Sequence, residues 1–342
     1  MAYSNTGTPR FYVDYLLWRK SLGLPTIYNL NILAESANNP PFDMATIEKT
    51  FNLNPSNSIT LYTPNDVPGN YIEVIAPPPI PSSTSISTRY FAILGHNLAS
   101  AGVGMGLIPS GTYVINGSTD YDGFSITKDI YDLIYESADN SAIPFGVYRI
   151  GFGEDSTNVS LKVGCYSVGN YYDMPHSPDL KLTMTREMDG VKRIRTKGGA
   201  DLVDHKYIKP AMWGGAGAWE LYDGTPTTPK LSRSGRRTWD LSFSYLQDSS
   251  VFPDVSALRT YHIEGSDENT HYTENTLLDG DDFYSQVIHK TNGGKLPFIF
   301  QPDKDNNNPD QFAICKFDMN SFKFDQVANG VYNVKLKIRE VW

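Results

Sequence analysis

Residues 331–342 read VYNVKLKIREVW. Tyr332, Val334, Leu336, Ile338 and Trp342 fall on one side of an extended chain, and Asn333, Lys335, Lys337 and Arg339 fall on the other. Side chains alternate across a strand, so this period of two predicts a β-strand with one buried face and one basic, solvated face. Residues 238–246 (TWDLSFSYL) repeat the pattern, with Trp239, Leu241, Phe243 and Tyr245 on one face. A chain whose strongest signals are half-buried strands predicts a mostly β fold.

The rest of the chain extends that reading. Strands are expected at 10–14, 59–62, 71–75, 90–98, 111–116, 146–152, 159–168, 296–301 and 312–319. A short helix is expected after residue 14, ending at Gly23 as its C′ residue. Asp189–Gly190 is a favoured two-residue turn, which predicts a hairpin between 182–187 and 191–197. Residues 281–290 (DDFYSQVIHK) read as a helix, from the acids at its start and the Phe283/Val287 and Tyr284/Ile288 spacing. The turn-rich passage 170–179 (NYYDMPHSPD) has no periodicity, so the domain boundary is set there: residues 1–175 and residues 176–342. The 342 residues suit about two domains. The run APPPIP at 76–81 reads as a stiff loop inside the first domain.

Composition narrows the classes. The chain has 22 Tyr, 16 Phe, 28 Gly and 22 Pro, which favours short strands and tight turns over a coiled coil or a disordered chain. The net charge is −9, the wrong sign for a protein that wraps nucleic acid. Two basic clusters stand against that background: Lys192, Arg193, Arg195 and Lys197, and Arg233, Arg236 and Arg237. They read as solvated faces or subunit contacts. The N-terminus MAYSNTGTPR carries no secretory pattern, and no apolar run has bilayer-spanning length. Cys165 and Cys315 are too few for a disulfide framework and lack metal spacing, so both are expected as small buried strand residues.

Catalytic motifs are missing from the sequence. It has no GxSxG, HExxH or Walker A pattern. The glycine run between Trp213 and Trp219 has no Lys-Ser/Thr after it and reads as a tight turn. Asp303, Asp305 and Asn307 alternate as in a calcium loop, but Asn308 and Ile314 stand where Gly and Glu are needed, so this is a solvated loop. No catalytic residue, metal or cofactor is assigned.

Three passages carry a resemblance. Residues 91–102 (FAILGHNLASAG) and 113–124 (YVINGSTDYDGF) resemble the discoidin-like, galactose-binding jelly roll of tailed-bacteriophage accessory proteins. The turn is stretched here to Ser118-Thr119-Asp120-Tyr121-Asp122-Gly123. Residues 171–200, with WGGAGAWEL and GRRTWDLSFSYL, look like a phage structural protein encoded among tail genes. The helix, the segment PFIFQPD and the final YNVKLKIREVW are similar to the tail-tube-like β-sandwich of distal tail and tail-tip proteins. The resemblance implies an N-terminal discoidin-like jelly roll followed by a tail-tube-like β-sandwich with one short helix.

It also implies a structural virion protein, made in the host bacterial cytoplasm, that builds the tail end and supports host-recognition proteins. Expected partners are further copies of itself in a homo-oligomeric ring (a hexamer favoured over a trimer), the tail tube and the baseplate hub. Neither sequence-specific nucleic acid nor membrane insertion is expected. The ring candidates are Trp239, Phe243, Lys335, Lys337 and Trp342, with Trp239 and Phe243 also suited to the core. An acidic tube wall would repel passing DNA. The alternative is a carbohydrate-binding receptor-recognition protein that contacts a host surface glycan through His96, Asn97, Asp120 and Asp122. An enzyme that trims surface polysaccharide is a third reading with no motif behind it.

Overall fold

A computed structural model describes residues 7–24, 27–31, 44–54, 59–63, 71–76, 89–96, 105–109, 131–137, 146–152, 159–180, 182–187, 192–204, 212–213, 216–217, 236–253, 280–306 and 311–341. The fold is mostly β and is built on one large antiparallel sheet. The first strand, β1 (Arg10–Asp14), is fully buried and leads straight into helix α1 (Tyr15–Ser21). Asp14 caps that helix: its Oδ1 accepts from Leu17 N at 2.9 Å. Gly23, at φ +71°, follows the helix in the left-handed conformation that glycine adopts most readily.

β1 is the joint of the molecule. On one side it pairs with β10 (Cys165–Asp173), and on the other with β17 (Phe298–Gln301). Beyond β10 lie β5 (Arg89–Leu94) and β7 (Tyr131–Ser137). Beyond β17 lie β18 (Ala313–Phe317), β20 (Val331–Glu340), β16 (Arg236–Gln247) and, at the edge, β11 (Thr183–Glu187). β19 (Phe324–Ala328) adds to β20 off this path. The sheet therefore runs without a break across the division at residues 175 and 176. Asn170–Asp173, read from sequence as irregular, is the last part of β10 and pairs with Arg10–Val13.

Two smaller sheets hold other elements of the first half. β2 (Ile27–Asn31), β4 (Tyr71–Ala76), β8 (Gly146–Phe152) and β6 (Met105–Pro109) form one. β3 (Ile59–Thr63) and β9 (Val159–Val163) form another, and α2 (Met44–Lys49) lies between β2 and β3 in the chain. The strand expected at 111–116 and the Asp122-Gly123 turn lie outside the described residues.

The core gathers around Phe11. Its ring lies 5.6 Å from Phe283, 5.6 Å from Phe298, 5.2 Å from Phe300 and 6.0 Å from Phe317. Trp239 on β16 meets Phe300 on β17 at 5.2 Å, although β20 and β18 lie between their strands. Three strand spacings of a flat sheet would put those backbones about 14 Å apart. The sheet therefore curls around its own aromatic face. Segment 281–290 closes the interior as a π-helix (Tyr284–His289) in place of the expected α-helix. Asp282 Oδ1 accepts from Ser285 N at its start, and Thr291 Oγ1 donates to Val287 O at its end.

The expected faces of β20 hold: Tyr332, Val334, Leu336 and Ile338 are buried, while Lys335 and Lys337 are exposed. Cys165 and Cys315 are buried free thiols in strands, as expected, and burial raises the pKa of both. Two expectations fail. The 182–187/191–197 hairpin does not form, because β11 pairs with β16 and β12 (Lys192–Arg195) pairs with β13 (Asp201–Asp204). The turn that prevails spans 196–200, where Gly199 sits at φ +86° and Thr196 N donates to Ala200 O. Tyr245 leaves the buried face of β16, because a β-bulge between Phe243 and Leu246 gives its place to Leu246.

Candidate functional site

The residues named from sequence scatter. Trp239 and Phe243 are core residues, so as interface candidates they are corrected: enclosed side chains offer a second subunit no surface. Phe243 belongs to the main core cluster, with the His176 ring 6.1 Å away, and Trp239 packs against Phe300. His96 follows β5 and is also buried, which gives an incoming sugar no exposed ring. Asn97, Asp120, Asp122 and Trp342 lie outside the described residues. Lys335 and Lys337 remain, and both line one open groove of about 430 Å³ on the outer face of β16 and β20.

The groove follows from the strand pattern. With apolar residues turned into the core, the alternate positions must face solvent. Asp240, Ser242 and Ser244 of β16 line it, with Asn333, Lys335 and Lys337 of β20 opposite. Asp240 stands directly across from Lys337, and Ser242 across from Lys335. One end is closed by the segment entering β11: Asp179 N donates to Ser242 O at 2.8 Å, and Ser244 Oγ donates to Asp179 Oδ2 at 2.8 Å. Thr183 and Met319 also line it, as do Leu241, Phe243, Val334 and Leu336 of the two strands.

Charge is balanced across this surface. Lys337 pairs with Asp318 at 2.8 Å, and that hydrogen bond raises its pKa. Arg339, farther along the same face, bonds Glu187 at 2.7 Å and holds that carboxyl below its usual range. Both pairs are partly exposed, so each adds little stability.

A β-bulge interrupts β16 beside the groove residue Ser244. Phe243 pairs with Val334 and Leu246 with Tyr332, so Ser244 and Tyr245 together oppose Asn333. Tyr245 is 74% exposed and sits at φ +62°. Its N–H donates to Asn333 Oδ1 at 3.1 Å, which fixes the bulge. Reading β16 alone missed Tyr245, because a bulge depends on the partner strand. Asp240, Ser242, Lys335 and Lys337 were legible as outward positions.

Two polar clusters lie inside the protein. Arg237, counted from sequence in a solvated basic cluster, is buried and paired with Glu340: Nη2 donates to Oε1 at 2.9 Å and Nε to Oε2 at 3.1 Å. Asp14 Oδ2 accepts from Ser167 Oγ at 2.7 Å, and Ser167 Oγ lies 2.8 Å from Tyr90 OH. Both clusters are enclosed, and each ties strands together. Among the described residues, no three His, Cys, Asp or Glu side chains converge as a metal site would require. Also among them, no helix is long and apolar enough to cross a membrane. Comparison with protein-family models, with curated proteins and with solved structures gives no match to this chain.

Proposed function

We propose that the chain is a structural subunit of a tailed-bacteriophage virion, assembled with copies of itself into a ring at the distal end of the tail. In this reading the first half is a discoidin-like jelly roll facing outward, and the second half is a tail-tube-like β-sandwich. The ring joins the tail tube and the baseplate hub and supports host-recognition proteins. The role is architectural and assigns no catalysis.

The observation that carries the proposal is the terminal strand of the large sheet among the described residues. β11 is its terminal strand, with Thr183–Arg186 exposed and Met184 56% exposed. Nearby in sequence, the β12–β13 hairpin sets Ile194 opposite Leu202, at 49% and 58% exposure. Monomeric proteins shield such edges, because unpaired strand groups and apolar side chains recruit another chain. A head-to-tail contact that closes makes a ring. The test is light-scattering mass and electron microscopy of the purified chain. A closed ring, six-fold by this reading, is expected. A monomer at every concentration, or a trimeric projection, overturns it.

A further inference from the structure

We infer that the β12–β13 hairpin is a docking arm whose occupant is the acidic segment 264–279 of a neighbouring copy. The inference rests on the ring reading and deepens it, adding a second contact to the one at β11.

The arm offers apolar side chains on both of its faces. Residues directly opposed across a ribbon share a face. Ile194 and Leu202 therefore lie on one face, and Arg193, Arg195, Asp201 and Val203 on the other. Ile194, Leu202 and Val203 are 49%, 58% and 36% exposed. The turn holds the two strands in register: Thr196 N donates to Ala200 O at 2.8 Å, and Ala200 N donates to Thr196 Oγ1 at 3.0 Å. Among the described residues, β12 and β13 form a sheet of two strands. Such a ribbon is marginal in water and gains stability when a face is covered.

Charge selects the occupant. Lys192 is in register with Asp204 and Arg195 with Asp201, whereas Arg193 stands opposite Val203 and Lys197 lies in the turn. The hairpin is thus net positive in a chain of net charge −9. Residues 264–279 contain Glu264, Asp267, Glu268, Glu274 and Asp279, and no Lys or Arg. The same stretch contains Tyr272, Leu277 and Leu278, apolar partners for Ile194 and Leu202. It lies outside the described residues and leads to Asp281, which is exposed. Within one chain the hairpin stays exposed, so the segment that covers it comes from a second copy. An arm on one surface and a segment on another make a heterologous contact, the kind that closes into a ring.

The experiment is charge reversal in the full chain, read by light-scattering mass against concentration, with thermal melting as the fold check. Arg193→Glu with Lys197→Glu is expected to weaken association at least about tenfold, because like charges then face each other. Asp267→Lys with Glu268→Lys is expected to do the same. A chain carrying all four changes opposes unlike charges again and is expected to recover association. A benzophenone attached at Gly198→Cys, an exposed position beside two buried native thiols, is expected to cross-link to residues 264–279 of another copy. Full ring mass in the reversed-hairpin chain overturns the inference and leaves the ring reading standing. So does failure of the fourfold chain to recover, or cross-linking confined to other residues. A parent chain that is monomeric at every concentration overturns the ring reading, and the inference with it.

Discussion

Asp14 is the residue at which chemistry and architecture meet. Burial raises its pKa from the usual 3.8 to about 6, against the opposing hydrogen bonds from Leu17 N and Ser167 Oγ. An acid raised in this way binds its proton more tightly in the folded chain than in the unfolded one. Its contribution is therefore full below about pH 4 and is lost as pH rises through about 6, a difference of about 3 kcal/mol. Urea midpoints between pH 4 and 7 should fall across that window, and Asp14→Asn should flatten the fall. The asparagine can still cap α1 through its carbonyl and can donate to Ser167 Oγ. A pH profile identical in the two chains would refute the assignment. Glu340 is buried beside the Arg237 guanidinium, at 2.9 Å. Glu340→Ala leaves the Arg237 guanidinium without its carboxylate and should cost about 3–5 kcal/mol by denaturant titration. Neither role was legible in sequence. Glu340 lies on the apolar side of an alternating strand, and its partner is 103 positions away. Arg237 looked like one more member of a basic loop. The flanking apolar residues were legible because burial there follows from alternation alone.

At the scale of elements, close approach decides what is tolerated. Gly169 on β10 faces Asp14 on β1, where the chain turns from strand into α1. A Cβ at this position would stand 1.9 Å from Val13 O, a backbone atom that cannot swing away. Gly169→Ala should therefore destabilise by about 1–3 kcal/mol through overpacking. Gly198→Ala, where only a side-chain atom lies 4.0 Å away, should be nearly silent. Paired thermal melts separate the two, and equal effects would sink the argument. The elements also show where sequence reading stops. Strands were legible by period, whereas their partners were not. Asp189–Gly190 is a good local turn signal, but β11 gains a partner in β16 through five paired positions, Thr183–Asp240 to Glu187–Arg236. Glu187 Oε2 also takes the Arg339 guanidinium from the next strand. The turn signal names no partner: 183–187 joins the large sheet, and 192–195 pairs with 201–204 in a separate one. The outer face of β16 and β20 was half legible for the same reason: its outward positions alternate, and the bulge that exposes Tyr245 belongs to two strands at once.

At the scale of the whole molecule, β1 decides the connectivity, and in the proposed ring β11 carries the contact. Tyr12 OH donates to Gln301 Oε1 at 2.7 Å across 289 positions, and Arg10 joins Asp173 at 2.9 Å through Nη2. The N-terminal strand thus joins both halves into one sheet. Among the described residues, that sheet has two terminal strands on its main path, β11 and β7. Pairing β11 of one copy with β11 of another is isologous and stops at a dimer. Pairing β11 with β7 of the next copy is heterologous, so it continues until it closes, as a ring requires. Met184→Lys tests which applies. The position is exposed, so the change should move stability by no more than about 0.5 kcal/mol. A lysine there charges the edge, a device natural sheets use against edge pairing. The expected outcome in light scattering is a shift from ring mass to monomer at an unchanged melting temperature. Mixing the variant with the parent chain separates the two geometries. Heterologous growth would give open arcs of graded mass, each ended by a variant subunit. Isologous pairing would give only dimer and monomer. A ring of full mass made from the variant alone would show that the contact lies elsewhere than β11.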